Sequence, residues 1–145
     1  MNSRNIAELI DTNSTLEQLE NDFWGKAPEG ATRLVTKCHE LRRKKIRDFE
    51  TEDFRLLIGQ NIGLQFLVPL AIEILHKNAF AEGDFYEGDL LQNVLKSKSE
   101  FWKDHPDLKR EVVEIFEKNR AKLQELDVIQ EIKDGLLEAY NKFTN

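Results

Sequence analysis

Four acidic residues lie close together in residues 78–89, the segment NAFAEGDFYEGD, where they surround two aromatic residues. These six residues are Glu82, Asp84, Glu87, Asp89, Phe85 and Tyr86. Closely spaced carboxylates bind calcium in EF-hand loops, but Gly83 and Gly88 interrupt the ligand spacing of such a loop. Paired carboxylates also serve in acid–base catalysis, yet no partner for them is identifiable in the sequence.

Two interpretations of this segment stand beside metal binding. In the first, it is a structural loop whose aromatic rings dock on the core, while Asp89 caps a helix over Leu90–Leu95. In the second, it is an exposed acidic and aromatic surface for a basic protein partner, because aromatic residues are enriched at protein interfaces.

Cys38 and His39 are adjacent in the sequence and could in principle form a nucleophile and its base. They fall in a predicted helix, where neighbouring side chains point about 100° apart, so they are poorly placed to act on each other. We therefore predict a buried structural cysteine. The histidines at 39, 76 and 105 show no metal-ligand spacing. No metal, no cofactor and no enzymatic activity is expected.

A basic stretch, RRKKIR, occupies residues 42–47. It is interpreted as a solvated loop or as an internal clamp for the acidic residues that follow. A phosphate site is the alternative, although the stretch is short and lacks the interleaved aromatic residues of single-strand binders. A second acidic group follows it directly, with Glu50, Glu52 and Asp53.

The composition is that of a folded domain in a reducing compartment. The chain has 145 residues, of which 40% are hydrophobic and 33% charged, and its net charge is −6. One domain over residues 1–145 is expected from this length. A single cysteine and an N-terminus without an apolar h-region predict a cytoplasmic location. The acidic balance disfavours general nucleic-acid binding and favours a basic partner.

The densest apolar run, Leu56–Leu75, is predicted to be the buried centre of an all-α fold with about six to eight helices. Polar residues, glycines and Pro69 interrupt it, so a membrane span is not expected. It should form a buried helix pair over 52–59 and 65–77, with Thr51 as the N-cap of the first helix. Pro69 is placed in the first turn of the second helix, where its missing N–H costs nothing.

Helical periodicity and capping patterns predict the remaining elements. Ser14 and Glu17 form a capping-box pattern that begins a short helix. A helix over 32–42 should bury one side, formed by Leu34, Val35, Cys38 and Leu41. Pro106 is expected in the first turn of a long helix over 107–126. A second long helix over 128–143 should pack antiparallel to it.

Several motifs together resemble one bacterial protein family. The motifs are LRRK (41–44), DF (48–49), EDFRLLIGQ (52–60), GL (63–64), LVPLA (67–71), EGDFY (82–86), GDLL (88–91), FW (101–102) and HP (105–106). Over residues 15–116 they resemble the immunity proteins of contact-dependent growth inhibition (CDI) systems. The chain departs from the pattern at Lys45-Ile46, where relatives often have proline and leucine, and at Glu87, where proline is common. Residues 117–145 extend beyond the resemblance, as a C-terminal helical extension.

The resemblance implies a non-enzymatic, cytosolic inhibitor that binds the toxin domain of the same system. Many such toxins are nucleases, so the expected partner is a basic nuclease domain whose active site the immunity protein occupies or flanks. No direct contact with nucleic acid or membrane is expected, and the free protein is expected to be a monomer. The candidate toxin contacts are Glu82, Asp84, Phe85, Tyr86, Glu87, Glu50, Glu52 and Asp53. The alternative is a helical nucleic-acid-binding or regulatory module that uses residues 42–47.

Overall fold

The computed structural model describes residues 1–145 and contains nine α-helices and one short 3-10 helix. The α-helices are α1 (Ser3–Leu9), α2 (Leu16–Glu20), α3 (Arg33–Arg42), α4 (Thr51–Gly59), α5 (Leu64–Lys77), α6 (Asp89–Lys96), α7 (Ser99–Asp104), α8 (Pro106–Leu123) and α9 (Gln130–Thr144). The 3-10 helix is Ile46–Asp48. The all-α class is therefore confirmed, with one helix more than the upper predicted count. No helix is both long and apolar enough to cross a membrane.

The predicted central pair is formed by α4 and α5, which begin one residue earlier than expected. Helix α4 packs chiefly on α6, α5 packs on α1, and α6 packs on α9. One hydrophobic core runs through these layers, from Leu16 on α2 to Phe143 on α9. Burial of the apolar faces of all these helices in the shared core drives their assembly.

The turn between α4 and α5 requires a glycine. Gly63 adopts a left-handed conformation with φ of +65°, and a Cβ there would lie 2.8 Å from Cδ1 of Leu16. Its carbonyl accepts hydrogen bonds from the N–H groups of Phe66 and Leu67, which begins α5. The helix therefore starts well before Pro69.

The prediction that Pro69 lies in the first turn of α5 is wrong, because it is the sixth residue of that helix. Its ring provides no N–H for the carbonyl of Gln65, so one hydrogen bond of the helix is missing. Leu64, Leu67 and Val68 are buried at 5% exposure or less. We attribute the early start of the helix to this burial, which offsets the proline's cost of about 3 kcal/mol.

Two of the predicted N-caps, those of α2 and α4, are displaced by one residue. Thr15, not Ser14, caps α2. Its Oγ1 accepts a hydrogen bond from the N–H of Gln18 at 3.2 Å, and Gln18 Oε1 accepts one from the N–H of Thr15 at 2.9 Å. Glu50, not Thr51, precedes α4, and its N–H donates to Asp53 Oδ2 at 3.0 Å. In each case the side chain three positions after the N-cap accepts from the N-cap backbone N–H, which forms a capping box.

Helix α3 buries less than its apolar pattern predicts. Cys38 and Leu41 are buried as expected, but Leu34 is 43% exposed and Val35 is 40% exposed. The first turn of α3 is thus an exposed apolar surface, and burial begins only at Cys38.

Helices α8 and α9 form the predicted antiparallel contact, and Pro106 is the first residue of α8 as expected. The rings of Phe116 and Tyr140 stack with centroids 3.7 Å apart. The Tyr140 hydroxyl donates to Glu117 Oε2 at 2.5 Å. Since α9 packs more extensively on α6 than on α8, the pair is one part of a three-helix contact and not a separate hairpin.

Candidate functional site

The acidic segment 78–89 is organised by the carboxylate of Asp89, which is only 2% exposed. Asp89 Oδ1 accepts from the N–H of Gly83 at 2.6 Å, and Oδ2 accepts from the N–H groups of Phe85 at 3.0 Å and Tyr86 at 3.3 Å. The expectation that Asp89 caps a helix is therefore wrong. It is the first residue of α6, and its side chain points back to hold the preceding loop, because three loop donors need an acceptor there.

Glu52 on α4 provides the second attachment of this loop. Its Oε1 accepts from the backbone N–H of Asp84 at 2.8 Å. A Cβ at Gly83 would stand 2.6 Å from that same Oε1, so only glycine permits this close approach of loop and helix. Glu52 and Asp84, which were predicted to lie in two separate acidic groups, are thereby brought into one site.

Arg55 fixes the orientation of Glu52. Its Nε and Nη2 donate to the two carboxylate oxygens at 2.5 and 2.6 Å, in a bidentate ion pair. Burial alone raises the pKa of the Glu52 carboxyl, but the hydrogen bonds from Arg55 and from the Asp84 N–H outweigh it and hold that pKa below its ordinary value. The same hydrogen bonds, which Arg55 donates to Glu52, raise the pKa of Arg55. Glu52 is therefore a fixed negative charge at neutral pH.

Phe85 is exposed at the tip of the loop, with 68% of its surface accessible. The guanidinium of Arg55 lies over its ring, 4.3 Å from the centroid. The interpretation in which both aromatic rings dock on the core is thus wrong for Phe85, because its ring packs on the Arg55 guanidinium and stays exposed. Tyr86 is partly buried, and this burial, followed by the charge of Asp89, raises the pKa of its hydroxyl.

The other two candidates of the second acidic group make no hydrogen bond or ion pair with the loop that carries Phe85. Asp53 is 6% exposed, and its Oδ2 accepts from Lys44 Nζ at 2.8 Å as well as from the Glu50 N–H. The hydrogen bond to Asp53 raises the pKa of Lys44. Asp53 therefore has a structural role at the start of α4, whereas Glu50 is exposed beside it.

The basic stretch 42–47 is divided between the two predicted roles, because Lys44 binds the following Asp53 as a clamp would, whereas three of the five cations are exposed. Arg42 is 1% exposed, forms an ion pair with Glu20 and lies 4.2 Å from the centroid of the Trp24 ring. With Lys44 bound to Asp53, two of the five cations are unavailable to a phosphate backbone. The remaining exposed cations are Arg43, Lys45 and Arg47.

An open groove of about 1010 Å³ lies between the first turn of α3 and the loop that presents Phe85. Its walls combine charged and apolar residues, namely Arg33, Leu34, Lys37, Glu40, Glu52, Arg55, Asp84 and Phe85. The sequence interpretation missed Leu34 and Arg55 as parts of this site. For Arg55 a signal was available in the sequence, because residues three apart on one helix, such as Glu52 and Arg55, can form an ion pair. Leu34 had no such signal, since its exposure depends on which elements cover α3.

No group of three or more His, Cys, Asp or Glu side chains is arranged to hold a metal ion. Cys38 is buried, and that burial raises the pKa of its thiol, which keeps the sulfur in its unreactive protonated form at neutral pH. An exposed aromatic ring flanked by fixed charges on a held loop is typical of a protein-recognition surface.

Comparison with known proteins supports the motif-based resemblance. The model of the family described as CDI immunity proteins matches residues 18–112, close to the span of 15–116 that the motifs indicated. No curated protein and no solved structure showed a significant match to the chain. The family match covers well over half of the sequence and includes both α4 and the Phe85 loop. The chain therefore belongs to the CDI immunity protein family.

Proposed function

We propose that this protein neutralises its cognate CDI toxin domain in the cytosol by binding it through a surface centred on Phe85. This Phe85 surface consists of Glu52, Arg55, Glu82, Asp84, Phe85 and Glu87, the last of which pairs with Glu82 in an isolated antiparallel bridge. The observation that carries the proposal is a large aromatic ring, 68% exposed, held over Arg55 among ionised carboxylates. An aromatic anchor of this kind gains more from burial in a complex than any other exposed side chain in the loop.

The loop that carries Phe85 is preorganised for binding. Asp89 holds three of its backbone N–H groups and Glu52 holds a fourth, so the loop is already fixed in one conformation in the free protein. A fixed loop loses little conformational entropy on association, which leaves more of the contact energy for affinity. The toxin is thus bound by a surface that exists before it arrives.

The charge of the surface indicates the kind of toxin. The carboxylates of Glu82 and Asp84 are exposed, and Glu52 remains ionised beside them. A nuclease presents a basic cleft to its substrate, and these carboxylates complement such a cleft. We propose that the toxin is a nuclease and that the Phe85 surface occupies or flanks its active site. The immunity protein then acts as a monomer, by binding and not by catalysis.

The first test is co-expression with the cognate toxin, with growth and complex formation on a sizing column as readouts. The wild-type chain should restore growth and elute as a 1:1 complex. The variant Phe85→Ala should lose about 2 kcal/mol or more of binding free energy, a drop of roughly 30-fold in affinity, because a central aromatic anchor is removed. Failure of the wild-type protein to rescue growth or form a complex would overturn the proposed function.

A second test isolates the contribution of charge. Alanine at Glu82, Asp84 and Glu87 together should weaken toxin binding and reduce the dependence of the association rate on salt. A matched control removes three exposed carboxylates elsewhere, at Glu114, Glu125 and Glu131. If both triple variants bind with the same affinity and the same salt dependence, the Phe85 surface is not the interface.

The remaining candidate contacts can be separated in the same assay. Glu50 is exposed and can be replaced by alanine without removing a partner of the core. Asp53 is held by Lys44 at 2.8 Å, so a change there measures stability as well as binding. We expect Glu50→Ala to have a smaller effect than Phe85→Ala, since Glu50 makes no hydrogen bond or ion pair with the Phe85 loop.

A further inference from the structure

A second cavity, of about 510 Å³, lies between α6, α7 and α9 and shares no residue with the groove at the Phe85 surface. Its polar rim contains four lysines, Lys96, Lys103, Lys109 and Lys142. Its apolar residues are Leu95, Trp102, Ala139 and Phe143. The proposed toxin-binding function makes no use of this cavity.

Three of the four lysines of this cavity have no carboxylate partner, and the fourth, Lys142, is paired with Glu138. The chain as a whole carries a net charge of −6. Among the residues that line the cavity, however, Glu138 is the only one with an acidic side chain. Glu138 Oε1 lies 3.4 Å from Lys142 Nζ, and no carboxylate lies within 4.0 Å of Lys96, Lys103 or Lys109. Like charges that face one cavity repel each other, and a bound anion would relieve that repulsion.

Gly135 keeps the wall of the cavity open. It lies in the interior of α9, where glycine is less favourable for the helix than alanine. The other helical glycine, Gly59, would bring a Cβ within 2.5 Å of Asn93, so packing explains it. A Cβ at Gly135 would meet no atom within 4 Å. Packing therefore does not require the glycine at 135, and the cavity wall has room at this position for a methyl group.

We propose that this cavity binds a compact organic anion with at least two negative charges and a flat apolar group, which is the chemical class of nucleotides. The volume lies in the range of small-molecule sites, which is about 300–1,000 Å³. The lysines at the rim bind the charged part. The flat part contacts the apolar floor, where Trp102 and Phe143 are 4% and 7% exposed and Lys109 Nζ lies 5.2 Å from the centroid of the Phe143 ring. Gln92 lines the cavity and has a side-chain oxygen without a hydrogen-bond partner, so its amide can turn toward an occupant without breaking a bond.

The test is isothermal titration of the full chain with ADP, pyrophosphate and adenosine at low and at high salt. ADP should bind with a 1:1 stoichiometry and a dissociation constant below about 1 mM, and salt should weaken the binding. Adenosine and pyrophosphate should each bind at least tenfold more weakly, since each lacks one half of the recognised chemistry. No binding of ADP at low salt, or equal binding of ADP and pyrophosphate, would overturn the proposal.

Two variants at one position test the location of the site. Gly135→Glu places a carboxylate in the open space at the cavity wall and should abolish ADP binding. Gly135→Ala adds only a methyl group and should leave binding within about twofold, so it controls for the change at that position. If Gly135→Glu binds ADP as the wild type does, the ligand is not in this cavity.

A lysine pair tests the electrostatic part. The double variant Lys96→Gln, Lys103→Gln should weaken ADP binding about five- to tenfold, as expected for the loss of two partly exposed charge contacts. The matched control Lys118→Gln, Lys122→Gln removes two exposed lysines from α8, outside the cavity. Equal effects of the two double variants would show a response to net charge alone and would contradict the proposed site. Tighter binding of a single-stranded oligonucleotide than of ADP would also contradict it.

Discussion

The substitution Asp89→Asn should detach the Phe85 loop while the domain remains folded. Asp89 accepts three backbone N–H groups through two charged oxygens, at 2.6, 3.0 and 3.3 Å. Asparagine keeps one oxygen, and its amide N–H₂ would face the remaining donors. A hydrogen bond to a charged group contributes about 1.5–3 kcal/mol, and a buried donor without an acceptor costs about 1–3 kcal/mol.

The expected magnitude follows from these distances. The contact at 3.3 Å is the weakest, so the loss corresponds to one strong bond and part of a second, or about 2–4 kcal/mol. A domain of this size has a free energy of unfolding of about 5–15 kcal/mol, so the variant should still fold. The backbone amides of Gly83, Phe85 and Tyr86 should then exchange with solvent roughly 30- to 700-fold faster, because each 1.4 kcal/mol is a factor of ten.

Chemical denaturation and amide hydrogen exchange measure the two effects separately. The control is Asp84→Asn, which makes the same chemical change on the same loop at an exposed side chain. It should alter the free energy of unfolding by less than about 0.5 kcal/mol. Asp89→Asn should also weaken toxin binding, since the loop must be ordered again in the complex. If Asp89→Asn left stability and exchange at the level of Asp84→Asn, the assignment of Asp89 as the organiser of the loop would be refuted.

Three further predictions concern stability. Gly135→Ala should raise the free energy of unfolding, measured by denaturation, by about 0.5–1 kcal/mol. Alanine favours the helix, and its methyl group meets no atom within 4 Å. A destabilised variant would contradict the open space at this position. The pKa of Glu52 lies below 4.5 in the folded protein, so its contribution to stability is present above that pH and decreases as the pH falls through the folded value. Denaturation at pH 3–6 should therefore show that the free energy of unfolding of Glu52→Gln decreases less on acidification than that of the wild type. An equal pH dependence in the two proteins would refute the role of Arg55. We also propose that residues 117–145 form one domain with the rest of the chain. Deletion of residues 129–145 should then prevent folding, as measured by circular dichroism. A truncated chain that folds would show that α9 is dispensable.

Local patterns in the sequence were sufficient to predict most helices of this protein. The apolar run from Leu56 to Leu75 identified the central pair, and Pro106 identified the start of α8. These features depend on residues within one or two turns of each other, whose spacing and backbone chemistry are visible in the sequence. The same kind of information identified the family, since its motifs are short runs of consecutive residues.

Some local predictions failed because the packing of the helices, and not the local pattern, decided which residues are buried. Pro69 lies inside α5 and not at its start, since the apolar residues before it gain more from helical packing than proline costs. Leu34 and Val35 follow the pattern of a buried face, but no element covers the first turn of α3. A pattern of apolar residues shows which side of a helix could be buried, and only the surrounding helices decide how much of it is.

The candidate site depended on the tertiary structure most of all. From the sequence, Glu52 and Asp84 were two acidic positions 32 residues apart, and Asp89 was a helix cap. Packing of α4 against α6 brings Glu52 to the backbone of Asp84 and turns the carboxylate of Asp89 toward its own loop. The residues of the chain alone show that an acidic and aromatic segment exists, because composition is local. Its shape, its exposed Phe85 ring and its partner Arg55 were decided only by the fold, because those contacts join residues that are distant in the chain.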